Sequence, residues 1–552
     1  MKKALVLACL IALTLIGVSP VSGQNEISLP LVPLPAEISA KGGTLILKDT
    51  TIISLPDDAG EVLKATAAIF AEKAARRYGT SFELKANGPC DAEVLVGERA
   101  VECGEAERPS EWQSDEAYTL RVSERVVLMA GNPHGFHNGF ATLLQLLNDS
   151  GEIPKVEIKD SPRFGWRGML LDSSRSFLPT DVIKRYIDIL SELKINRFHW
   201  HIVDDQGWRI ESQVYPRLHQ VGGIVSNMND KKLKSLAEVQ FDEHGRRMES
   251  PRYSSIEEAA SSRGYYTQEE LREIVEYAKA RHVMVVPEID IPGHSSAMLA
   301  AYPELSCSGE PVPVRQGPGI YATALCPAKE EVYEFLDNLF AEIADIFPAP
   351  YVHIGSDEVL ATDWLDYPGN RKLMEEYGYE DKHDLQAHFV RRVDKILEKH
   401  NRTMIAWDEI THYAPDGVII QAWRKHEYAR IAAEDGHDSV ISPVTHCYID
   451  YPQLSFTLKN LYGFEPIPEG LDSSLHHHIL GGEVNLWGER VTLANIDSKA
   501  FPRVIAHSEV MWSQKEDRDW DNFTDRLDRL QKDMERRGVD FGTTWRDILL
   551  LP

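Results

Sequence analysis

The feature that most constrains this chain is an alternation. From about residue 161 onward, apolar runs of strand length recur eight times: "GMLLD", "RFHWHIV", "VMVVPEI", "YVHIG", "TMIAW", "VIIQAW", "SVISPV" and "ILGGEVNLW". Amphipathic helical stretches separate them, among them "DVIKRYIDILSEL", "TQEELREIVEYAKAR", "EEVYEFLDNLFAEIADIF" and "DLQAHFVRRVDKILEKH". A strand followed by a crossover helix returns parallel to its predecessor, and eight such units close into a (β/α)8 TIM barrel. The barrel is expected over residues 161–515, with a charge-rich insertion at 205–265.

The ends of these runs differ from their middles. In strand order they read "DSSRSF", "HWHIVDDQGW", "PEIDIPGH", "GSDE", "WDE", "QAWR", "HCYID" and "LWGE". Parallel strands bring all their C-terminal ends to one rim, where barrel enzymes keep their active sites. Any one of these acids or histidines can be a satisfied polar group closing the barrel top. Eight polar endings together point to a site. In "YVHIGSDEV" the chain sets Asp357 beside Glu358 at the end of an apolar strand. Like charges in a poorly solvated place raise each other's pKa, so the pair needs a reason. Neighbours in extended chain point in different directions and can address different parts of one substrate.

Trp407, Trp423 and Trp487 also sit at strand ends. Aromatic residues in strands are more often core than ligand platforms, but their shared position favours a carbohydrate pocket. Flat apolar rings cover the weakly polar faces of a sugar, while arginine and acids take its hydroxyls. A metal-dependent barrel hydrolase is the rival reading. His199 and His201 in "HWH" share one strand face and can ligate zinc, with His294, His353 and an Asp completing the set. Tryptophan and acid outnumber histidine at the rim, which weighs against it. His476, His477 and His478 are consecutive, cannot all face one way, and read as a polar loop.

The remaining sequence bounds the setting. A net charge of −27 disfavours nucleic acid and anionic membranes as partners. Residues 1–23 pair Lys2 and Lys3 with a short apolar run and a small-residue cleavage site, the pattern of a secretory signal rather than a membrane span. Export permits disulfides: Cys307–Cys326 would close a Pro/Gly-rich loop and Cys90–Cys103 a shorter one, leaving Cys447 over. Residues 24–160 mix strand-like and helix-like runs, a small α/β accessory domain without a catalytic cluster. Residues 516–552 are expected to form a C-terminal helical extension.

"DSPRFGWRGMLLDSSRSFLP", "HWHIVDDQGWRIE", "YYTQEELREIVEYAKARHVMVVPEIDIPGHS", "HIGSDEV", "AWDEI", "CYIDY" and "GGEVNLWGE" resemble, in order, the β-N-acetylhexosaminidases of glycoside hydrolase family 20. The likeness runs from about residue 110 to 515. It implies exo-acting, retaining hydrolysis of terminal N-acetylhexosamine from an oligosaccharide or glycoconjugate. No cofactor or metal is implied. In that family the substrate's own acetamide oxygen is the nucleophile, an exception to the usual two-carboxylate scheme.

Position by position, the resemblance makes Glu358 the general acid and later the base. Asp357 receives the acetamide N–H and stabilises the oxazolinium cation. His294 and Asp204 form a relay behind Glu358, with Asp205 as the alternative partner of the histidine. Arg175 and Glu489 take the sugar's outer hydroxyls. Tyr448 bonds the acetamide oxygen with Asp450 nearby, and Trp407, Trp423 and Trp487 wall the acetamide. The chain departs from the family at two places: Ser176 where a His is usual, and Ser356 where a Gly is usual. A disaccharide-releasing glycosidase of the same fold is the alternative within enzymes. A catalytically silent sugar-binding protein is the alternative outside them.

Overall fold

In a computed structural model of the chain, residues 29–48, 50–223, 264–315 and 317–542 are described, with two short strands at 240–241 and 247–248. The expected leader at 1–23, much of the 205–265 insertion and the last ten residues lie outside them.

A seven-stranded mixed sheet comes first. Its strands are β1 (Glu37–Ile46), β2 (Thr50–Leu55), β3 (Ser81–Ala86), β4 (Val94–Val96), β5 (Tyr118–Val122), β6 (Val126–Ala130) and β7 (Glu152–Asp160). They lie in the order β1-β7-β5-β6-β4-β2-β3. The helices Glu61–Tyr78 and Pro133–Leu146 pack their apolar stripes on it through Phe70, Phe140 and Leu143. Arg77 and Lys73 on the first helix pair with Glu192 on the first barrel helix, Thr180–Glu192, which fastens this layer to the barrel.

The barrel strands are β8 (Trp166–Asp172), β9 (Arg197–Asp204), β10 (Met284–Ile289), β11 (Tyr351–His353), β12 (Thr403–Trp407), β13 (Ile419–Ala422), β14 (Ser439–Ile441) and β15 (Ile479–Leu486). Every neighbouring pair is parallel, and β15 pairs with β8 while β8 pairs with β9, so the sheet closes. Each of the eight apolar runs picked out in the sequence forms one of these strands. They read as continuous apolar stretches because helices cover their outer faces. Trp200, for example, points outward between two inward histidines and is buried against Tyr266. Two of the covering helices start at full capping boxes, Thr267 with Glu270 and Asp381 with Asp384, which satisfy the free N–H groups of the first turn.

The two expected disulfides are present, Cys90–Cys103 and Cys307–Cys326, and Cys447 is a buried free thiol. The helix Trp520–Arg536 folds back onto the barrel. There Arg526, almost fully buried, meets both oxygens of the fully buried Glu509 at 2.6 Å. Removing one partner strands the other charge without water. Arg526→Ala is therefore expected to lower stability by about 3–5 kcal/mol, read as the shift of the urea midpoint. A loss under about 1 kcal/mol would mean that the Leu34 N–H and the Tyr462 hydroxyl, which also donate to Glu509, suffice to hold its charge.

Candidate active site

The barrel interior beneath the rim is charged. Parallel register places Glu288 level with His201 on one neighbouring strand and His353 on the other. Glu288 accepts from Trp407 Nε1 at 2.9 Å, lies 3.1 Å from both His199 Nε2 and His353 Nδ1, and is bonded to His201 Nδ1. Glu483, inward on β15, accepts from Trp166 Nε1 at 3.0 Å and Gln421 Nε2 at 2.7 Å, and faces His199 Nδ1 at 3.0 Å. Burial pulls His199 toward neutrality, but these two carboxylates lift it to about 9, so it is an imidazolium at neutral pH. Both nitrogens of His199 and His201 thus face carboxylates, and the "HWH" pair forms the ionic floor of the site. His199, Glu288 and His353 are spaced to hold a cation, yet the His199 imidazolium already sits against the Glu288 carboxylate.

Above this floor β10 and β11 run into the loops that carry the central groups. His294 Nδ1 lies 3.3 Å from Asp204 Oδ1 and equally 3.3 Å from Asp205 Oδ2, so both acids face the ring. Its Nε2 lies 3.6 Å from Glu358 Oε2 and 3.8 Å from Asp357 Oδ2. Such separations are longer than hydrogen bonds. Burial works against a charge on His294, but Asp204 and Asp290 hold its pKa well above the usual imidazole value. Burial pushes Asp357 up to about 6; His294 pulls it back, while Glu358, Glu288 and Asp204 push further. Oδ1 of Asp357 is buried and has no hydrogen-bond partner among the described residues.

The backbone here is strained. His294, Ser356 and Glu358 have φ of +47°, +71° and +49°, a region non-glycine residues avoid. Ser356 stands where the resembling family has glycine, and its φ shows why glycine suits. Its carbonyl and hydroxyl oxygens both accept from Gln386 Nε2, at 2.8 and 3.1 Å, which ties the strained turn down. At Gly355 (φ +66°) a Cβ would fall 1.8 Å from Asp290 Oδ1, so no other residue fits. Ser176, the second departure, lies 2.7 Å from the Gly488 carbonyl and 3.0 Å from that of Val491. It bridges the β8 end to the loop that carries Glu489.

Arg175 is nearly buried and sits among acids. It is 3.2 Å from Asp172 and 2.6 Å from Asp204, with Glu489 at 3.6 Å and the Trp487 ring beneath its guanidinium. Trp407, Trp487, Tyr448 and Trp423 form one contiguous aromatic wall, with successive ring centres 5.9, 6.0 and 6.1 Å apart. Burial and nearby Asp357 push the Tyr448 phenol well above its usual pKa, keeping it a donor. Asp450 is fully buried and pairs with Arg490 through one oxygen at 2.7 Å, while its other oxygen is buried with no hydrogen-bond partner among the described residues.

The structure therefore brings together Asp204, His294, Asp357, Glu358, Arg175, Glu489, Tyr448 and the three tryptophans, and pairs Asp450 with Arg490. Four acids were not singled out as site residues in the sequence: Glu288, Asp290, Glu483 and Glu409. Acids at period-2 positions inside or just past an apolar strand were the available signal for the first three. Glu409 stood in the quoted "WDE" but was not separable there from a solvated loop acid.

A closed parallel barrel with adjacent carboxylates under an aromatic wall at its C-terminal rim defines a glycosidase of the (β/α)8 class. The pattern of the glycosyl hydrolase family 20 catalytic domain matches residues 164–515, and that of the family's domain 2 matches residues 28–161. The chain belongs to glycosyl hydrolase family 20. It is 32% identical to a β-hexosaminidase of Porphyromonas gingivalis, over 98% of this chain and 68% of that one. It superposes on the chitobiase of Flavobacterium johnsoniae with a TM-score of 0.76 at 31% identity, covering 95% of this chain and 75% of that chain. It superposes on the family 20 exo-β-N-acetylglucosaminidase of Vibrio harveyi, solved with N-acetylglucosamine, with a TM-score of 0.77 at 30% identity, covering 93% and 78%.

Proposed function

We propose that the protein is an exo-acting β-N-acetylhexosaminidase that hydrolyses terminal N-acetylglucosamine or N-acetylgalactosamine by substrate-assisted, retaining catalysis. One observation carries this reading. Asp357 holds a buried carboxylate oxygen, without a partner among the described residues, next to an aromatic wall, while its neighbour Glu358 is more open. A buried acceptor without a donor is unfavourable unless a ligand supplies one. A 2-acetamido N–H is such a donor, and the wall suits the acetamide methyl.

In this reading the N–H of the substrate bonds Asp357, and Tyr448 donates to the acetamide oxygen. That aims the oxygen at the anomeric carbon, replacing a protein nucleophile by a positioned substrate group. Glu358 protonates the glycosidic oxygen as the bond breaks. The oxazolinium cation forms against ionised Asp357, and Glu358 then takes a proton from the water that opens the ring. His294, charged and backed by Asp204 and Asp205, holds both carboxyls in place. Arg175 and Glu489 receive the sugar's outer hydroxyls, with Asp450 as a further substrate-binding acid near Tyr448. The apolar start at 1–23 and the two disulfides support export, secreted or periplasmic. Among the described residues no helix is long and apolar enough to cross a membrane.

Release of a chromophore from N-acetylglucosaminide, N-acetylgalactosaminide and plain glucoside tests the reading. Only the first two are expected to react, since a glucoside brings no nucleophile of its own. Activity is expected to survive prolonged EDTA, because each step uses a side chain or the substrate. Loss on chelation, restored by zinc, would make His199 and His201 metal ligands instead.

A further inference from the structure

Trp423 is held from the end of the neighbouring strand. The fully buried Asp408 accepts from the backbone N–H of Trp423 and of Arg424, each at 3.0 Å, and from Arg424 Nε at 2.5 Å. Glu409 Oε2 accepts from the Trp423 indole N–H at 3.1 Å. The two acids of "WDE" therefore fix, separately, the backbone and the ring of the tryptophan in "AWR". We infer that Glu409 is a positioning residue that sets the size of the N-acyl group the pocket admits, by locking the Trp423 indole in place. The inference rests on the N-acetylhexosaminidase reading.

Trp423 is partly exposed, so packing does not enclose it on every side. Its single donor is its one polar anchor, because indole offers no acceptor. The ring lies near-parallel to Tyr448, with centres 6.1 Å apart and planes 22° off. A rotation of the indole about its side-chain bonds would widen the end of the wall, where an acyl chain longer than acetyl would reach. Glu409 can hold the ring without disturbing the charge of the site. Burial pushes its carboxyl up to about 8, with Asp357 and Asp408 adding to the rise and Arg424 opposing. At neutral pH it is uncharged and still accepts the indole N–H. An aspartate or glutamate ionised here would set a further negative charge near Asp357.

One methylene in a fitted pocket changes kcat/KM by about 10- to 200-fold. The parent protein is expected to favour an aryl N-acetylglucosaminide over its N-propanoyl analogue within that range. Glu409→Ala is expected to lower the ratio of the two kcat/KM values about tenfold, mainly through a better KM for the longer acyl group. Glu409→Gln keeps an oxygen for the indole and is expected to retain the ratio. Trp423→Phe keeps a ring but removes the donor, and is expected to lose discrimination as Glu409→Ala does. The double variant is expected to lose no more than Trp423→Phe alone, since without the indole N–H there is no bond left for Glu409 to make. Thermal unfolding confirms that each variant is folded, and Trp423→Phe carries the test if Glu409→Ala is not. An unchanged ratio in folded Glu409→Ala overturns the inference, as does an unchanged ratio in Trp423→Phe. A parent that hydrolyses a plain glucoside as fast as the N-acetyl sugar overturns the function reading instead.

Discussion

Asp357→Asn is expected to lower kcat/KM by about 10²–10³ wherever the parent carboxylate is ionised, above about pH 6, the size of effect seen when one preorganised electrostatic partner is removed from a developing charge. The substitution keeps size and shape but deletes the anion facing the oxazolinium, and it replaces an N–H acceptor by a group that also donates. If Asp357 only tuned its neighbour, Asn would shift the pH–rate profile and leave the optimum rate nearly intact. A thiazoline or oxazoline mimic is expected to inhibit the parent strongly and the Asn variant weakly. Mass spectrometry should find no sugar ester on either acid. A trapped ester on Asp357 or Glu358 would leave an ordinary two-carboxylate retaining enzyme in place of substrate assistance.

The same substitution should stabilise the fold. The folded-state pKa of Asp357 is raised from 3.8 to about 6, chiefly by burial. Between those values the native protein binds more protons than the unfolded chain, so stability falls as pH rises through the window and stays lower above it. Asn removes that penalty. Its Tm is expected to exceed the parent's above pH 6 and to converge on it near pH 4. A variant that loses activity and stability together at pH 7 would show that the defect is in folding rather than in chemistry.

Glu358→Gln carries the second large effect, and its signature is a split between substrates. With a chitobiose-type leaving group, which needs protonation, kcat/KM is expected to fall about 10²–10⁴-fold. With an activated aryl leaving group the same ratio should hold within about tenfold, because kcat/KM reports the first irreversible step and a good leaving group departs with little help. The later step still needs a base to activate water, so kcat on the aryl substrate should fall more than kcat/KM. Equal, mild losses on both substrates would show that Glu358 is not the acid.

Both predictions concern two residues adjacent in the chain, and the structure shows how neighbours come to differ. Gly355, Ser356 and Glu358 all take positive φ, so the strand breaks into a tight turn as it reaches the rim. Asp357 is left turned inward beneath the aromatic wall. Glu358 is turned toward His294 and the opening, with about a third of its side chain exposed. The strain is held by the Gln386 bonds to Ser356 and by the close seat of Gly355 on Asp290.

The (β/α)8 barrel, its eight strands and the rim that carries the chemistry were legible in the sequence. Those features are periodic: an apolar run buried on both sides, an amphipathic helix and a polar strand end each leave a local pattern, and parallel closure then puts every end on one side. Less was legible in the N-terminal sheet. There β2, β3 and β7 gave no clear signal, because β7 is half polar with Pro154 inside it and β3 is a partly exposed edge. Tertiary structure alone decided the sharing of His294 between Asp204 and Asp205 and the conversion of the "HWH" histidines into an ionic floor. It also paired Asp450 with Arg490 and clamped Trp423 by Asp408 and Glu409. Each of these depends on which carboxylate meets which ring across residues tens to hundreds of positions apart, in a low-dielectric interior where one contact changes a charge state. Sequence periodicity records which face of a strand is buried. It does not record which partner waits on the other side.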